Sequence, residues 1–224
     1  MVVTEPGVMW LFRFRPVPVA FDVTLRETLV PTLLGLPGLI DLYVGRQGPD
    51  EHGQRLIATI WATGDAVATV LGDAPERSRL LSDHLSATAE PELDCLPLGF
   101  GYRFDRPERP GLLRLVHGEV SAGGLERYVE QANAGTLADA AEGHGPLALY
   151  LARRSPDRFV TLSVWSDWAT LQEATGGNVD QPIATRHARM LTDWRAGHYE
   201  AIPELWASSR TIEIAPRSPE GAQA

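Results

Sequence analysis

The sequence predicts an α+β chain made of two tandem ferredoxin-like βαββαβ units, with antiparallel sheets packed face to face as a barrel within one polypeptide. The first of three observations is an internal repeat. Leu42-Tyr43-Val44-Gly45-Arg46 recurs as Leu149-Tyr150-Leu151-Ala152-Arg153, Leu56 to Trp61 recurs as Val160 to Trp165, and Arg79 to Asp83 recurs as Arg189 to Asp193. The offsets are 107, 104 and 110 residues, and matches at nearly constant spacing mark a duplicated unit. The second observation is the order of periodicities within each copy, where strand and helix patterns alternate as β-α-β-β-α-β. The third is that the strand ending in each tryptophan is apolar on both faces. Leu56, Ala58 and Ile60 form one face and Ile57, Thr59 and Trp61 the other, so both faces need cover and Trp61 and Trp165 are expected in the core.

In the first copy, Val8 to Arg15 alternates as a strand and Val17 to Gly35 reads as mainly helical, with Pro31 expected to end or kink it. Leu39 to Arg46 and Arg55 to Trp61 flank a Gly-Pro-Asp turn as a hairpin. Helical register follows at Asp65 to Gly72 and Glu76 to His84, and Leu96 to Phe104 closes the unit. The second copy repeats the order: strand Leu112 to Val120, helix Gly124 to Glu142, strands Leu147 to Arg153 and Arg158 to Trp165. Helices at Trp168 to Thr175 and Ile183 to Trp194 come next, then a strand around His198 to Ile202. The charged, proline-bearing stretch Asp105 to Pro110 is the linker. The units are placed at residues 1–106 and 107–207. A polar tail, 208–224, has room for a short edge strand at Thr211 to Ile214.

The composition narrows the function classes. Among 224 residues, 20 are basic and 29 acidic, for a net charge of -9. All the basic residues are arginine, so lysine Schiff-base chemistry and a Walker lysine are excluded. The negative balance argues against a duplex nucleic-acid partner. One cysteine, Cys95, gives no intrachain disulfide and is expected as a small buried hydrophobe. The amino terminus lacks the order of a signal peptide and no stretch is long and apolar enough to span a bilayer, so a cytoplasmic protein is expected.

Six histidines show no zinc-type pairing, and no metal is expected. His52, His84 and His144 fit turns or a helix face. His117 interrupts an apolar strand, where an imidazole facing a pocket acts as a general base. His187 follows Arg186, a pair suited to an enolate or carboxylate. These two histidines are the catalytic candidates. Trp168 and Trp194 break the repeat and are expected, with Arg186 and His198, to contact a small aromatic substrate. Arg46 and Arg153, which end equivalent strands, are expected to pair with the turn acids Asp50 and Asp157.

Phe159 to Gly177, FVTLSVWSDWATLQEATGG, resembles the third strand and following helix of antibiotic biosynthesis monooxygenase-like domains of the dimeric α+β barrel superfamily. Arg55 to Asp73, RLIATIWATGDAVATVLGD, resembles the same segment less closely. With the flanking strands the resemblance covers most of Val8 to Trp206, as a tandem fusion forming an internal pseudo-dimer. It implies a cofactor-independent monooxygenase acting on an aromatic or hydroquinone-like substrate. A non-catalytic ligand- or protein-binding barrel is the alternative, and a haem-binding relative with His187 as axial ligand is the less favoured one. The haem-degrading branch uses an Asn on the first strand, a Trp on the helix after the third strand and a His on the next helix. Here those places hold His117 or Arg13, Ala174 or Val70, and, in the second copy only, His187.

Overall fold

A computed structural model of the chain describes residues 7–14, 21–48, 53–65, 92–142, 145–183, 188–202 and 205–208. The strands among them are β1 (Val8–Phe14), β2 (Leu39–Gln47), β3 (Gln54–Trp61), β4 (Glu92–Arg103), β5 (Leu112–Val120), β6 (Ala148–Arg153), β7 (Arg158–Trp165), β8 (Leu191–Ala201) and β9 (Ala207–Ser208). Their hydrogen-bonded order is β3-β1-β4-β6-β7-β5-β8-β2-β9, and β2 also pairs with β3, so the antiparallel order returns on itself. The two halves of the chain meet along two seams. One is broad, β4 against β6 from Leu98↔Ala152 to Arg103↔Ala148. The other is narrower and interrupted, β2 against β8 at Gly45↔Ala201 and Arg46↔Glu200 and then against β9 at Leu42↔Ala207 and Asp41↔Ser208.

Side-chain alternation along these strands divides the apolar residues into layers. Met9 and Leu11 of β1, Leu56, Ala58 and Ile60 of β3, Leu113 and Leu115 of β5, and Val160, Leu162 and Val164 of β7 share one central cluster fed by both halves. The opposite face of β1 and β3, carrying Trp10, Phe12, Ile57 and Trp61, packs with Phe21, Leu25, Leu29 and Leu33. On the second half Phe100, Leu149, Leu151 and Phe159 pack with Leu125, Tyr128 and Val129, while Leu112 and Trp165 meet Leu171.

Trp61 and Trp165 are fully buried, as the two-faced strands predict. Each indole N–H donates to the hydroxyl two residues earlier: Trp61 to Thr59 Oγ1 at 2.8 Å and Trp165 to Ser163 Oγ at 2.9 Å. The same polar solution thus recurs at equivalent places in the two halves. Thr59→Val and Ser163→Ala each strand one buried donor. Each is expected to lower stability by about 1–2 kcal/mol in urea unfolding. Because the sites lie in separate clusters, the double variant should show the sum.

The helical elements are α1 (Phe21–Thr24), a π turn (Leu25–Leu29), α2 (Val30–Leu34), α3 (Leu125–Ala141), α4 (Trp168–Ala174) and a 3-10 turn (Ala188–Met190). Pro31 neither ends nor breaks the first of these. The helical stretch runs on from Phe21 to Leu34, and Pro31 follows directly on the π turn, whose wider i−5 bonding (Val30 N–H to Leu25 O) accommodates the bond that proline cannot make. In α3, buried Leu125, Tyr128 and Val129 recur at three- and four-residue spacing and seat it on the sheet. Asp167 caps α4 by accepting from Thr170 N at 2.8 Å, and that bond holds its carboxyl below the usual carboxylate range. Gly176 and Gly177, both at positive φ, turn the chain away after α4.

Other expectations are corrected. The helix expected over Ile183 to Trp194 gives way to the 3-10 turn and to β8 from Leu191 onward. There, pairing with β5 along most of its length overrides helical periodicity. The third sequence match of the repeat therefore falls, in the second copy, on a turn and a strand; its first member and the expected helix at Glu76 to His84 lie outside the described residues. β4 begins at Glu92, earlier than expected, and Ser208 belongs to β9. Cys95 is exposed, with the Trp10 indole N–H directed at its Sγ. Arg153 pairs with Glu126, through Nε at 3.0 Å and Nη2 at 2.8 Å, not with Asp157. Asp157 instead accepts from Ser155. Arg46 pairs with Glu200 at 3.3 Å, and Asp50 lies outside the described residues. No helix among the described residues is long and apolar enough to cross a membrane.

Candidate functional site

Strand β5 carries two basic residues on opposite faces. Arg114 shares the parity of Leu112 and Val116 and faces the helices; His117 shares the parity of Leu113 and Leu115 and lies at one end of the central layer. A cavity of about 80 Å³ opens on the helix side, between α3 and the sheet. Phe100, Val116, Leu149, Leu151 and Phe159 are among its walls, and Tyr128 of α3 lies stacked on Phe159 at a centroid distance of 4.5 Å. Burial pushes the Tyr128 hydroxyl well above the usual phenol range, so it stays protonated.

Arg114 is the cationic wall of this cavity and is 1% exposed, and Asp139 of α3 also lines it. Nε donates to Val179 O at 3.0 Å and Nη2 to Gln181 O. Burial lowers its pKa to about 10, partly offset by Asp180. A guanidinium held among apolar side chains and carbonyl oxygens attracts an anion far more strongly than one in water. Pro182, Ile183 and Leu191 complete the wall beside it.

The aromatic candidates gather behind that wall and outside the lining. His198 sits opposite Arg114 in the β5–β8 register, and its Nε2 lies 3.2 Å from the same Val179 carbonyl. Its pKa is lowered, by burial first and by Arg114 as well, with the Val179 bond opposing. Trp194 Nε1 donates to Asp180 O at 3.0 Å, and Trp168 rests against His198 with ring centroids 5.3 Å apart. Arg114, His198 and Trp194 thus bind the successive carbonyls of the Val179–Gln181 segment, and Trp168 packs on His198 behind them. Arg186 and His187 lie outside the described residues; in sequence they stand between the lining residues Ile183 and Leu191.

His117 occupies a different setting. Its Nε2 is 3.5 Å from Arg13 Nη1 and its Nδ1 is 3.3 Å from Arg154 Nη1. Asp94 closes the ring, meeting Arg13 Nη2 at 2.8 Å and Arg154 Nη2 at 2.9 Å. A neutral imidazole has one donor and one acceptor nitrogen, so only one of its guanidinium neighbours can hydrogen-bond to it. Burial, then Arg13, Arg154 and Arg195, lower the His117 pKa to about 4 against the opposing pull of Asp94. A ring so averse to a proton is a weak base at neutral pH, and it lies on the far side of β5 from the cavity.

No family model and no curated protein matches the sequence. Solved structures do match. The protein titled "putative monooxygenase" from Lactobacillus acidophilus NCFM superposes with a TM-score of 0.71 at 10% identity, covering 94% of this chain and 100% of its own. Its namesake from Fusobacterium nucleatum gives 0.72 at 10% identity, with 95% and 99% covered. The chain shares the fold of these two proteins. An anthrone oxidase-like protein shares this fold at a TM-score of 0.59 and 16% identity, over 97% of this chain and 99% of its own. At such identities the fold alone is held in common, and the chemistry has to be argued from this chain's own residues.

His187, the histidine considered as an axial haem ligand, lies outside the described residues. The two described histidines nearest by expectation, His117 and His198, do not line the helix-side cavity and have their ring nitrogens against Arg13, Arg154 and the Val179 carbonyl.

Proposed function

We propose that the helix-covered cavity oxidises a hydroquinone-like aromatic substrate with dioxygen, in a cofactor-independent monooxygenase reaction. The observation that carries this reading is Arg114, a buried cation set in an apolar wall. Such a residue stabilises a phenolate or enolate oxygen as it forms, in a place that excludes water. His187, four residues beyond the lining residue Ile183, is the base this reading assigns, with Arg186 beside it. His117 holds the Arg13–Asp94–Arg154 ring instead. Trp168, Trp194 and His198 act through the segment they fix, as positioning residues.

The reaction balances without a further reductant. A hydroxyl proton passes to His187, and the electron-rich anion reduces dioxygen while a ring carbon forms a C–O bond. The O–O bond then breaks; one oxygen stays on the ring as a quinone oxygen and the other leaves as water with two substrate hydrogens. A single-ring hydroquinone comes nearest the cavity volume, whereas fused-ring anthrone needs α3 to move. The same reading takes the chain as a duplication, units 1–106 and 107–207, closed as an internal pseudo-dimeric barrel. The equivalent Trp61–Thr59 and Trp165–Ser163 pairs and the strand order that returns on itself support it.

Oxygen uptake with methylhydroquinone and with anthrone tests the proposal. Consumption of one dioxygen per product is expected, faster with methylhydroquinone, with His187→Ala reducing the rate at least about 10²-fold and His117→Ala leaving it near wild type. Binding of methylhydroquinone without oxygen consumption would replace this reading by ligand binding alone, and loss of turnover in His117→Ala with retention in His187→Ala would overturn the residue assignment.

A further inference from the structure

The central layer ends, opposite the His117 ring, in a second polar group that the oxidation reading does not use. Tyr43 of β2 and Tyr150 of β6 occupy equivalent places in the sequence repeat. Their rings meet at a centroid distance of 6.3 Å, with the hydroxyls 3.5 Å apart. Tyr150 donates to Asp41 Oδ2, and Arg103 Nη1 lies 3.3 Å from Asp41 Oδ1. Asp41 is 2% exposed, a carboxylate whose burial is costly unless it is bonded, as it is here to Tyr150 and Arg103. At the corresponding place the second half has Ala148, which is buried without any polar group. The duplicated architecture therefore does not need Asp41. The Tyr150 ring is also seated at the expense of a side chain, since a Cβ on Gly101 would approach its Cδ1 to 2.6 Å.

Tyr43 and Arg103 of this group line a cavity of about 510 Å³, much roomier than the one beneath α3, with Tyr150 and Asp41 bonded behind them. The linker Asp105 to Pro110 roofs it, and Arg106 ties that roof down by donating to Gly145 O at 2.9 Å. Tyr43, Phe104 and Trp206 give it aromatic surface, and the Arg106 guanidinium already lies over the Phe104 ring at 5.8 Å. Asp105 and Glu108 add two carboxylates to the lining. With Arg103 matched by Asp41, the remaining balance is one guanidinium against two carboxylates. Burial and Asp41 push the Tyr43 hydroxyl far above the usual phenol range, so it remains an intact donor and acceptor at the floor.

We propose that this linker-roofed cavity binds a small aromatic ammonium compound. Its ring lies against Tyr43 and Trp206, its cationic group faces Asp105 and Glu108, and a ring hydroxyl joins the Tyr43–Tyr150–Asp41 chain. Aromatic faces and an excess of one carboxylate among the described lining residues both favour a cation and disfavour an anion of the same shape. The site stands apart from the helix-covered cavity and does not depend on the proposed oxidation.

Titration calorimetry on the full chain with tyramine and with 4-hydroxyphenylacetate, the same phenol bearing opposite charges, tests it. One saturable tyramine site is expected, with the acid weaker by at least about tenfold. The exposed pair Asp105→Asn with Glu108→Gln should bring the two ligands within about threefold of each other, and Trp206→Leu should weaken tyramine about tenfold. Equal binding of the two phenols, tyramine affinity unmoved by the linker substitutions, or no saturable binding of tyramine at millimolar concentration overturns the proposal.

Discussion

Arg114→Met is expected to remove oxygen uptake almost entirely, with a fall of about 10²–10³ in rate, and to destabilise the chain by about 2–4 kcal/mol. Both losses have one origin. Methionine fills much of the same volume but leaves the Gln181 carbonyl without this donor and the Val179 carbonyl with His198 alone, and it deletes the only guanidinium among the described residues of the cavity lining. The two losses separate in Arg114→Lys, which keeps a charge at the wall and loses the two-pronged geometry. That variant should recover part of the turnover while staying less stable. Oxygen consumption and urea unfolding on the same preparations check this, and full turnover in Arg114→Met would show that the buried cation has no part in the chemistry.

Acid should weaken the fold through His117 before the carboxylates titrate. The sign follows from its lowered pKa, about 4 in the folded chain against 6.5 when unfolded. Between those values the unfolded chain binds a proton that the folded chain refuses. The contribution is thus present above pH 6.5 and is lost as pH falls toward 4. The full shift corresponds to about 3 kcal/mol; partial exposure of the ring brings the expected effect down to about 1–2 kcal/mol. Arg13, Arg154 and Arg195 oppose the proton from three directions, Asp94 favours it, and Glu92 meets Arg13 at 3.3 Å on the outer side. Urea unfolding free energies at neutral pH and near about pH 5 should differ by that amount in the native chain and by much less in His117→Gln. An unchanged slope in His117→Gln would assign the acid sensitivity to other groups.

The strands were readable because burial on both faces leaves apolar residues in nearly every position, and because the tryptophan-ended segment occurs twice. What escaped depends on partners distant in sequence. Leu191 to Trp194 has helical spacing, yet β5 offers it a hydrogen-bonding edge that no local pattern reveals. Arg153 finds Glu126 on α3 in place of its nearest acid, because the helix lies over the end of β6. The site was half legible. His117 drew attention as a polar residue within an apolar strand, but Arg114, three positions earlier, carries the same signal with a larger charge. Period-two alternation separates them: odd positions of β5 join the central layer and even positions face α3, where the cavity lies. Trp168, Trp194 and His198 were recognised as departing from the repeat, and they do come together, around backbone carbonyls.

The narrow seam between β2 and β8 has a consequence for the company this protein keeps. Before Glu200 and Ala201, no strand among the described residues pairs with the β2-facing side of β8. Asp193 and Arg195 stand on that stretch. Charged side chains on a strand margin have to give up water before another strand can join it, which discourages edge-to-edge association.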